Sequence, residues 1–329
     1  GVMGCTALLL TGYGIEDTVN YGINHDLAKV GDCDFTLTFS EGKKEGDFAE
    51  DISEIEGISG FEMYQNNVSK VENPSSLSVN STIYVLTGAE NTHFAFARGL
   101  KNDEVAVSKK IQESLSLQEG EWITFSIGNV KHTSKIAFFY EAFFYSGIAL
   151  YSSNDIFRGE ELSYNGVYLD LEKGTDIEKV RRALKEKLPY LLTSQSKADW
   201  RLKINNVLQG VLVMTGAVKI FAILLALVVL YNLALLNFNE RSRDIATLKV
   251  LGFSLREIVL SLLLETMFLT SLGVLCGLAL GYPFMLAVLS LNKVELVTYL
   301  YYVSPLSFFY SFLLTFVVAF FVNLFFGFK

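Results

Sequence analysis

The apolar positions of this chain follow two different regimes. Up to about residue 200 they recur at short intervals among polar ones, and from Val207 onward they run together. In the first regime, residues 34–40 (Asp-Phe-Thr-Leu-Thr-Phe-Ser) and 121–127 (Glu-Trp-Ile-Thr-Phe-Ser-Ile) alternate with the period of half-buried strands. Residues 81–86, 130–140 and 166–171 read as further strands. Helical spacing appears at 47–55, 109–115 and 176–188. The last of these is expected to open on a capping box of Thr175 and Glu178 and to close before Pro189. Interleaved in this way, the elements predict an α+β domain.

The second regime is that of membrane spans, since about 20 mostly apolar residues cross the hydrocarbon of a bilayer. Three stretches qualify: 220–236, 258–291 and 305–328. The first is extended upstream by the uncharged stretch 207–218, with Lys219 able to snorkel to the outer interface. The second is interrupted only by Glu265, and the third carries no charge. Residues 1–10 are apolar but too short to span, and they are expected to be the outer end of a truncated first helix. No basic region precedes them, as it would in a signal peptide.

Composition agrees. The 329 residues are 51% hydrophobic and only 19% charged, against roughly 25% charged in ordinary globular chains. The net charge of -8 is unevenly placed. From Arg201 onward there are nine basic and five acidic groups, net +4, which leaves 18 basic and 30 acidic before it, net -12. An acidic soluble portion therefore precedes a mildly basic membrane portion. This disfavours nucleic-acid binding, which needs a basic face.

The loops orient the spans. The link 237–257 carries Arg241, Arg243, Lys249 and Arg256, whereas 292–304 carries only Lys293. The positive-inside rule puts the Arg-rich link in the cytoplasm and the acidic domain outside. Tyr299, Tyr301 and Tyr302 suit an outer aromatic belt, and Ser304-Pro305 a cap and first-turn pair for the last helix. Cys33 is the sole cysteine of the outer portion, so no disulfide framework can be drawn.

The cytoplasmic link is arranged like a stiff elbow. Residues 240–251 can form a short helix with Ile245, Leu248 and Leu251 on one side, and Gly252 stands where a left-handed cap would end it. Ser254-Leu255-Arg256-Glu257 then reads as a capping box, with Phe253 and Ile258 as its hydrophobic staple. On these residues alone the elbow either transmits force or merely joins two spans.

The run Asn239-Glu240-Arg241-Ser242-Arg243-Asp244-Ile245-Ala246-Thr247-Leu248-Lys249-Val250-Leu251-Gly252, followed by Glu265, Gly273, Gly277 and Gly281, resembles the FtsX-like permease domain of ABC transporters, the MacB, LolC and FtsX superfamily. The resemblance covers 207–328. It implies that the elbow docks on a cytoplasmic ABC ATPase dimer, with Arg241, Arg243, Asp244, Leu248 and Gly252 at the interface. A fainter similarity, at 103–110 and 117–125, is to the MacB-type extracytoplasmic core domain. Ile111 and Glu121 stand where that family usually has Ala and Asp. The opening residues 4–12 with Asp17 are similar to the end of the first helix in long permeases with two such modules. That likeness implies a second permease module as partner.

Chemistry finds little foothold. His25, His93 and His132 lack metal-ligand spacing and read as lone surface histidines; no hydrolase, metalloprotease or P-loop motif occurs. Catalytic, cofactor and metal residues are therefore expected to be absent, with ATP and magnesium held by the partner ATPase. The acidic run of Glu50, Asp51, Glu54 and Glu56 reads as a solvated helix face. Glu265 is an intramembrane charge and so a functional candidate, read here as a structural anchor near the inner interface. Gly273, Gly277 and Gly281 make two small-xxx-small steps along which another helix can approach.

The expected fold is a membrane α-helical protein, three complete transmembrane helices plus a truncated first one, with an α+β extracytoplasmic domain of MacB-core type. Its parts are 1–12 (end of the first helix), 13–200 (outer domain), 201–236 (stalk and span), 237–257 (coupling elbow), 258–291 (span), 292–304 (outer loop) and 305–329 (span). The expected function is a permease subunit in a bacterial cell membrane. It would couple ATP hydrolysis to work on an extracytoplasmic client, such as a peptide, lipid, lipoprotein or wall hydrolase. The alternative is a membrane sensor or regulator that signals peptide binding or activates a wall hydrolase. A membrane-anchored enzyme is disfavoured by the missing motifs.

Overall fold

The computed structural model describes residues 1–30, 33–88, 92–128, 130–252, 254–291 and 297–327; the side chains of 237–246, 249, 255, 256, 262, 326 and 327 fall outside that description. Among the described residues the helices are α1 (Val2–Val30), α2 (Glu45–Ile52), α3 (Lys109–Leu115), α4 (Ile177–Lys187), α5 (Lys197–Val250), α6 (Leu255–Leu291) and α7 (Pro305–Gly327). The strands are β1 (Phe35–Lys43), β2 (Ile58–Glu72), β3 (Ser78–Leu86), β4 (Glu104–Ser108), β5 (Trp122–Ile127), β6 (Val130–Tyr140), β7 (Gly147–Tyr151), β8 (Tyr164–Leu171) and β9 (Leu191–Ser196). The chain divides into a membrane unit (Gly1–Tyr21, Val207–Lys293, Tyr301–Lys329) and an outer unit (Gly22–Asn206, Val294–Leu300).

Among the described residues three helices are long and apolar enough to cross a bilayer: Lys197–Leu236, Glu257–Leu291 and Pro305–Phe325. Two boundaries differ from expectation. The first helix does not stop at residue 12 but runs to Val30, and the outer unit begins at Gly22. Nor is there a separate short helix over 240–251. The first span continues unbroken through it to Val250, giving 54 helical residues, because no Gly or Pro intervenes between Gly216 and Gly252. The four helices meet in an apolar cluster to which α1 gives Cys5, α5 Ala226 and Leu230, α6 Met267 and α7 Ala319.

In the outer unit the described strands form one nine-stranded sheet, part of which closes on itself. The reason is β2. At 15 residues it extends roughly 50 Å, long enough to serve several partners. Its first half pairs antiparallel with β8, its last two residues with β5, and its opposite edge with β3 from Tyr64 to Glu72. Going on through β7, β4 and β6 back to β5, six strands make a closed ring. β8, β1 and β9 extend from it as an antiparallel flap.

Side-chain alternation sorts the core into three clusters. Ile83 and Val85 of β3, Val105 and Val107 of β4, and Ile148 and Leu150 of β7 face one way and are capped by Ile111 and Leu115 of α3. Tyr84, Ala106 and Ala149, between them in sequence, face an aromatic cluster with Phe94, Phe96 and Tyr140. The flap packs Phe35, Leu37 and Val167 against Phe48 of α2 and Val180 and Leu184 of α4. The cap of α4 is Asp176 rather than Thr175. The Asp176 carboxylate accepts from the Glu178 and Lys179 amides at 3.0 and 3.3 Å, while the Thr175 amide is used by a turn back to Glu172.

Candidate functional site

The glycines expected to pack do so against α1. A Cβ on Gly277 would lie 2.6 Å from the Met3 carbonyl oxygen and 2.7 Å from the Thr6 Cβ. On Gly281 it would lie 2.9 Å from Leu10, and on Gly273 3.4 Å from Val2. The first is a backbone clash that no side-chain rotation relieves; the last is ordinary contact. The seam is therefore tightest at its middle glycine, where helix backbones touch as they do in small-xxx-small pairs.

The other sides of α1 are held by polar groups. The Asp17 carboxylate accepts from the Ser304 amide at 2.8 Å and the Ser307 hydroxyl at 2.6 Å, so a residue of one helix caps the start of another. Ser304 itself accepts from the Leu306 amide at 3.3 Å, with Pro305 at the first helical position. The Thr18 hydroxyl donates to the Tyr302 carbonyl at 2.9 Å, and Tyr302 stacks on Tyr21 at 4.8 Å. The Lys219 Nζ lies 2.5 Å from Glu16 and 4.0 Å from the centre of the Tyr13 ring. Sequence reading missed Asp17, Thr18 and Glu16 as partners, because their counterparts lie some two to three hundred residues away.

At the elbow, Gly252 takes φ +94°, a left-handed conformation that ends α5 at little cost only for glycine. The Leu251 amide reaches back to the Thr247 carbonyl at 3.0 Å. The expected capping box is formed: the Ser254 amide donates to Glu257 at 2.9 Å, and the Glu257 amide to the Ser254 hydroxyl at 3.4 Å. Leu248, Val250 and Leu251 are exposed, Val250 by 88%. A Cβ on Gly252 would meet no atom within 4 Å. The side chains of Arg241, Arg243 and Asp244, and the Phe253 half of the expected staple, lie outside the described residues. Glu265 is exposed on α6.

The outer unit corrects the reading of its histidines. His93 is half-buried between two carboxylates, with Nδ1 3.0 Å from Glu62 and Nε2 3.0 Å from Asp170. Glu62, itself 4% exposed, also accepts from the Thr92 hydroxyl at 2.5 Å and the His93 amide at 2.6 Å. The hydrogen bond to Glu62 raises the His93 pKa above its ordinary value, with Asp170 adding to it and burial opposing. His132 is buried against Phe125 and Phe157, and His25 is half-buried beside Asp26. Of the acidic helix face, Glu54 and Glu56 are exposed and pair with Lys187 and Lys179, and Asp51 bonds the Tyr190 hydroxyl.

His93 and Asp170 line a cavity of about 830 Å³, together with Lys29, Arg98, Lys197 and Arg201. Beside it is a chamber of about 210 Å³ walled by Tyr64, Tyr84, Tyr145, Tyr168 and Trp200. Burial pushes Tyr64 up to about 12 and Tyr84 and Tyr145 further, so these hydroxyls stay neutral. Among the described residues no group of three or more His, Cys, Asp and Glu could hold a metal ion.

Three described helices long and apolar enough to cross a bilayer, two of them joined by a helix-turn-helix elbow, define a multi-pass membrane protein. Residues 216–328 match the family model of the FtsX-like permease C-terminal domain. The chain is 29% identical over 131 residues to an uncharacterized ABC transporter permease of Methanocaldococcus jannaschii. That match covers 37% of this chain and 32% of the relative, so the chain spans about a third of it. Two solved structures are similar at low identity. The periplasmic region of MacB from Actinobacillus actinomycetemcomitans has a TM-score of 0.40 and 10% identity, over 56% of this chain and 98% of its own. The extracellular domain of the transporter YknZ from Gram-positive bacteria has 0.35 and 13%, over 50% and 98%. The family match and the basic cytoplasmic link together give a multi-pass membrane protein with its large domain outside.

Proposed function

We propose that the chain couples ATP hydrolysis on a separate cytoplasmic ABC ATPase to conformational work on a client outside the membrane. The observation that carries this reading is where the family match falls: it spans the elbow. There a left-handed glycine and a formed capping box fix the turn between two long helices, and Leu248, Val250 and Leu251 present apolar surface. An elbow pinned at both helix ends passes a push along the helices rather than absorbing it. ATP and magnesium would sit on the ATPase, and a second permease module would complete the assembly. Glu16 with Lys219, and Asp17 with Ser307, tie α1 to α5 and α7, so that the membrane unit would move as one.

The test uses the full chain co-expressed with an ABC ATPase from the same genome. Leu248→Glu should abolish co-purification of the ATPase while the chain stays in the membrane fraction. Gly252→Ala, strained at its positive φ, should weaken coupling by less. Full ATPase binding and client-dependent hydrolysis in both variants would remove the elbow from the coupling role.

A further inference from the structure

The outer unit's cavity and chamber lie side by side and share Lys197 and Trp200 in their walls. Their characters differ. In the cavity the acids are already engaged: Asp34 accepts from the Leu171 amide at 2.8 Å, and Asp170 faces His93. The cations are less so. Among the described residues Lys29, Arg98 and Arg201 make no ion pair, and all three are exposed. The cavity therefore keeps an excess of positive charge at its wall. The chamber has no charged wall except Lys197. Its Tyr145 and Tyr168 hydroxyls have no hydrogen-bond partner among the described residues, whereas the neighbouring Tyr64 hydroxyl donates to the Leu37 carbonyl at 3.4 Å.

A pocket of flat aromatic faces with a few uncommitted hydroxyls takes an apolar group that carries some polar atoms. Guanidinium and ammonium groups without an ion-pair partner take a phosphate or a carboxylate, and Arg98 is held in place by donating to the Thr92 carbonyl at 3.3 Å. Adjacent, the two ask for both properties in one molecule. We propose that the cavity and chamber bind an anionic amphiphile, its phosphate or carboxylate head at Lys29, Arg98 and Arg201 and its short apolar tail against Tyr145, Tyr168 and Trp200. The site is confined to the outer unit and is filled without ATP, so it stands apart from the coupling reading.

The test takes the full chain in lipid nanodiscs carrying Trp122→Phe. The sequence has two tryptophans, so Trp200 becomes the single reporter, and Trp122 is exposed enough to replace without harm. Octyl phosphate is titrated against Trp200 emission, with empty nanodiscs subtracted. A saturable change is expected, with octyl glucoside and inorganic phosphate each about tenfold or more weaker, the one lacking the charge and the other the tail. Lys29→Glu with Arg201→Glu, both on the surface, should weaken octyl phosphate about tenfold with circular dichroism unchanged. Thr36→Phe, which fills the chamber from β1, should weaken octyl phosphate and leave inorganic phosphate alone. Equal binding of octyl phosphate and octyl glucoside would overturn the anionic head. Inorganic phosphate binding as tightly as octyl phosphate would overturn the tail. Octyl phosphate binding unchanged by the charge reversal would overturn the site.

Discussion

The two units of this protein are held together by opposite means. In the outer unit the contacts that matter are large side chains removed from water: Phe35, Phe48, Phe94 and Phe125 are each fully buried. In the membrane unit the tightest contact of the α6 glycine seam is made where a side chain is missing, at Gly277 against the backbone of Met3. The difference follows from the solvent. Water expels apolar surface and so rewards bulk, whereas lipid tails are as apolar as leucine and reward only closeness and polar pairing. Asp17, Thr18 and Glu16 are on α1 for the second reason, and each finds its partner on another element of the membrane unit.

Mirror-image substitutions should separate these regimes. Phe125→Ala removes a fully buried ring from the closed strand ring and should cost about 3–5 kcal/mol. Trp122 and Trp200 are both in the outer unit, so its unfolding is followed by tryptophan fluorescence. Gly277→Leu adds bulk instead and should cost about 1–3 kcal/mol by overpacking. It is read by maleimide labelling of Cys5, which is 1% exposed in the helix cluster, in a Cys276→Ser background. Gly273→Leu, at an ordinary contact distance, should open Cys5 less. If Gly273→Leu and Gly277→Leu label alike, the seam is not centred where the geometry puts it.

The smallest effect concerns pH. His93 has a folded pKa above its ordinary value of 6.5, because Glu62 and Asp170 favour its charged form. Its contribution is thus fully present below about 6.5 and is lost as pH rises through the raised folded value. Outer-unit stability should decline across that interval, and His93→Gln should flatten the decline. An identical slope in the variant would assign it to other groups.

Much of this was legible in the chain because it is local. The capping box of Ser254 and Glu257, the stop at Gly252 and the glycine series lie within a few residues of their partners or at one helical spacing. β1 and β5 alternate cleanly since each has one face in a core. β7 shows no alternation, because Gly147 to Tyr151 is buried on both faces, and its apolar run does not distinguish strand from helix. β2 was hidden by its exposed polar middle, where Asn66, Asn67 and Val68 all face water. The His93 cluster could not be read at all. Its partners are 31 and 77 residues distant, and only the register of β2 and β8, with Glu62 opposite Tyr168 and Gly60 opposite Asp170, brings them near.

The ring of six strands has one more consequence. A strand inside it has neighbours on both sides, so it cannot peel away alone, and amides within the ring exchange with solvent only when several ladders open together. Among the described strands β9 is paired on one side, to β1, and it leads directly into α5. Fraying of the outer unit therefore has a preferred starting place, at the strand whose next residue is the first of a membrane helix.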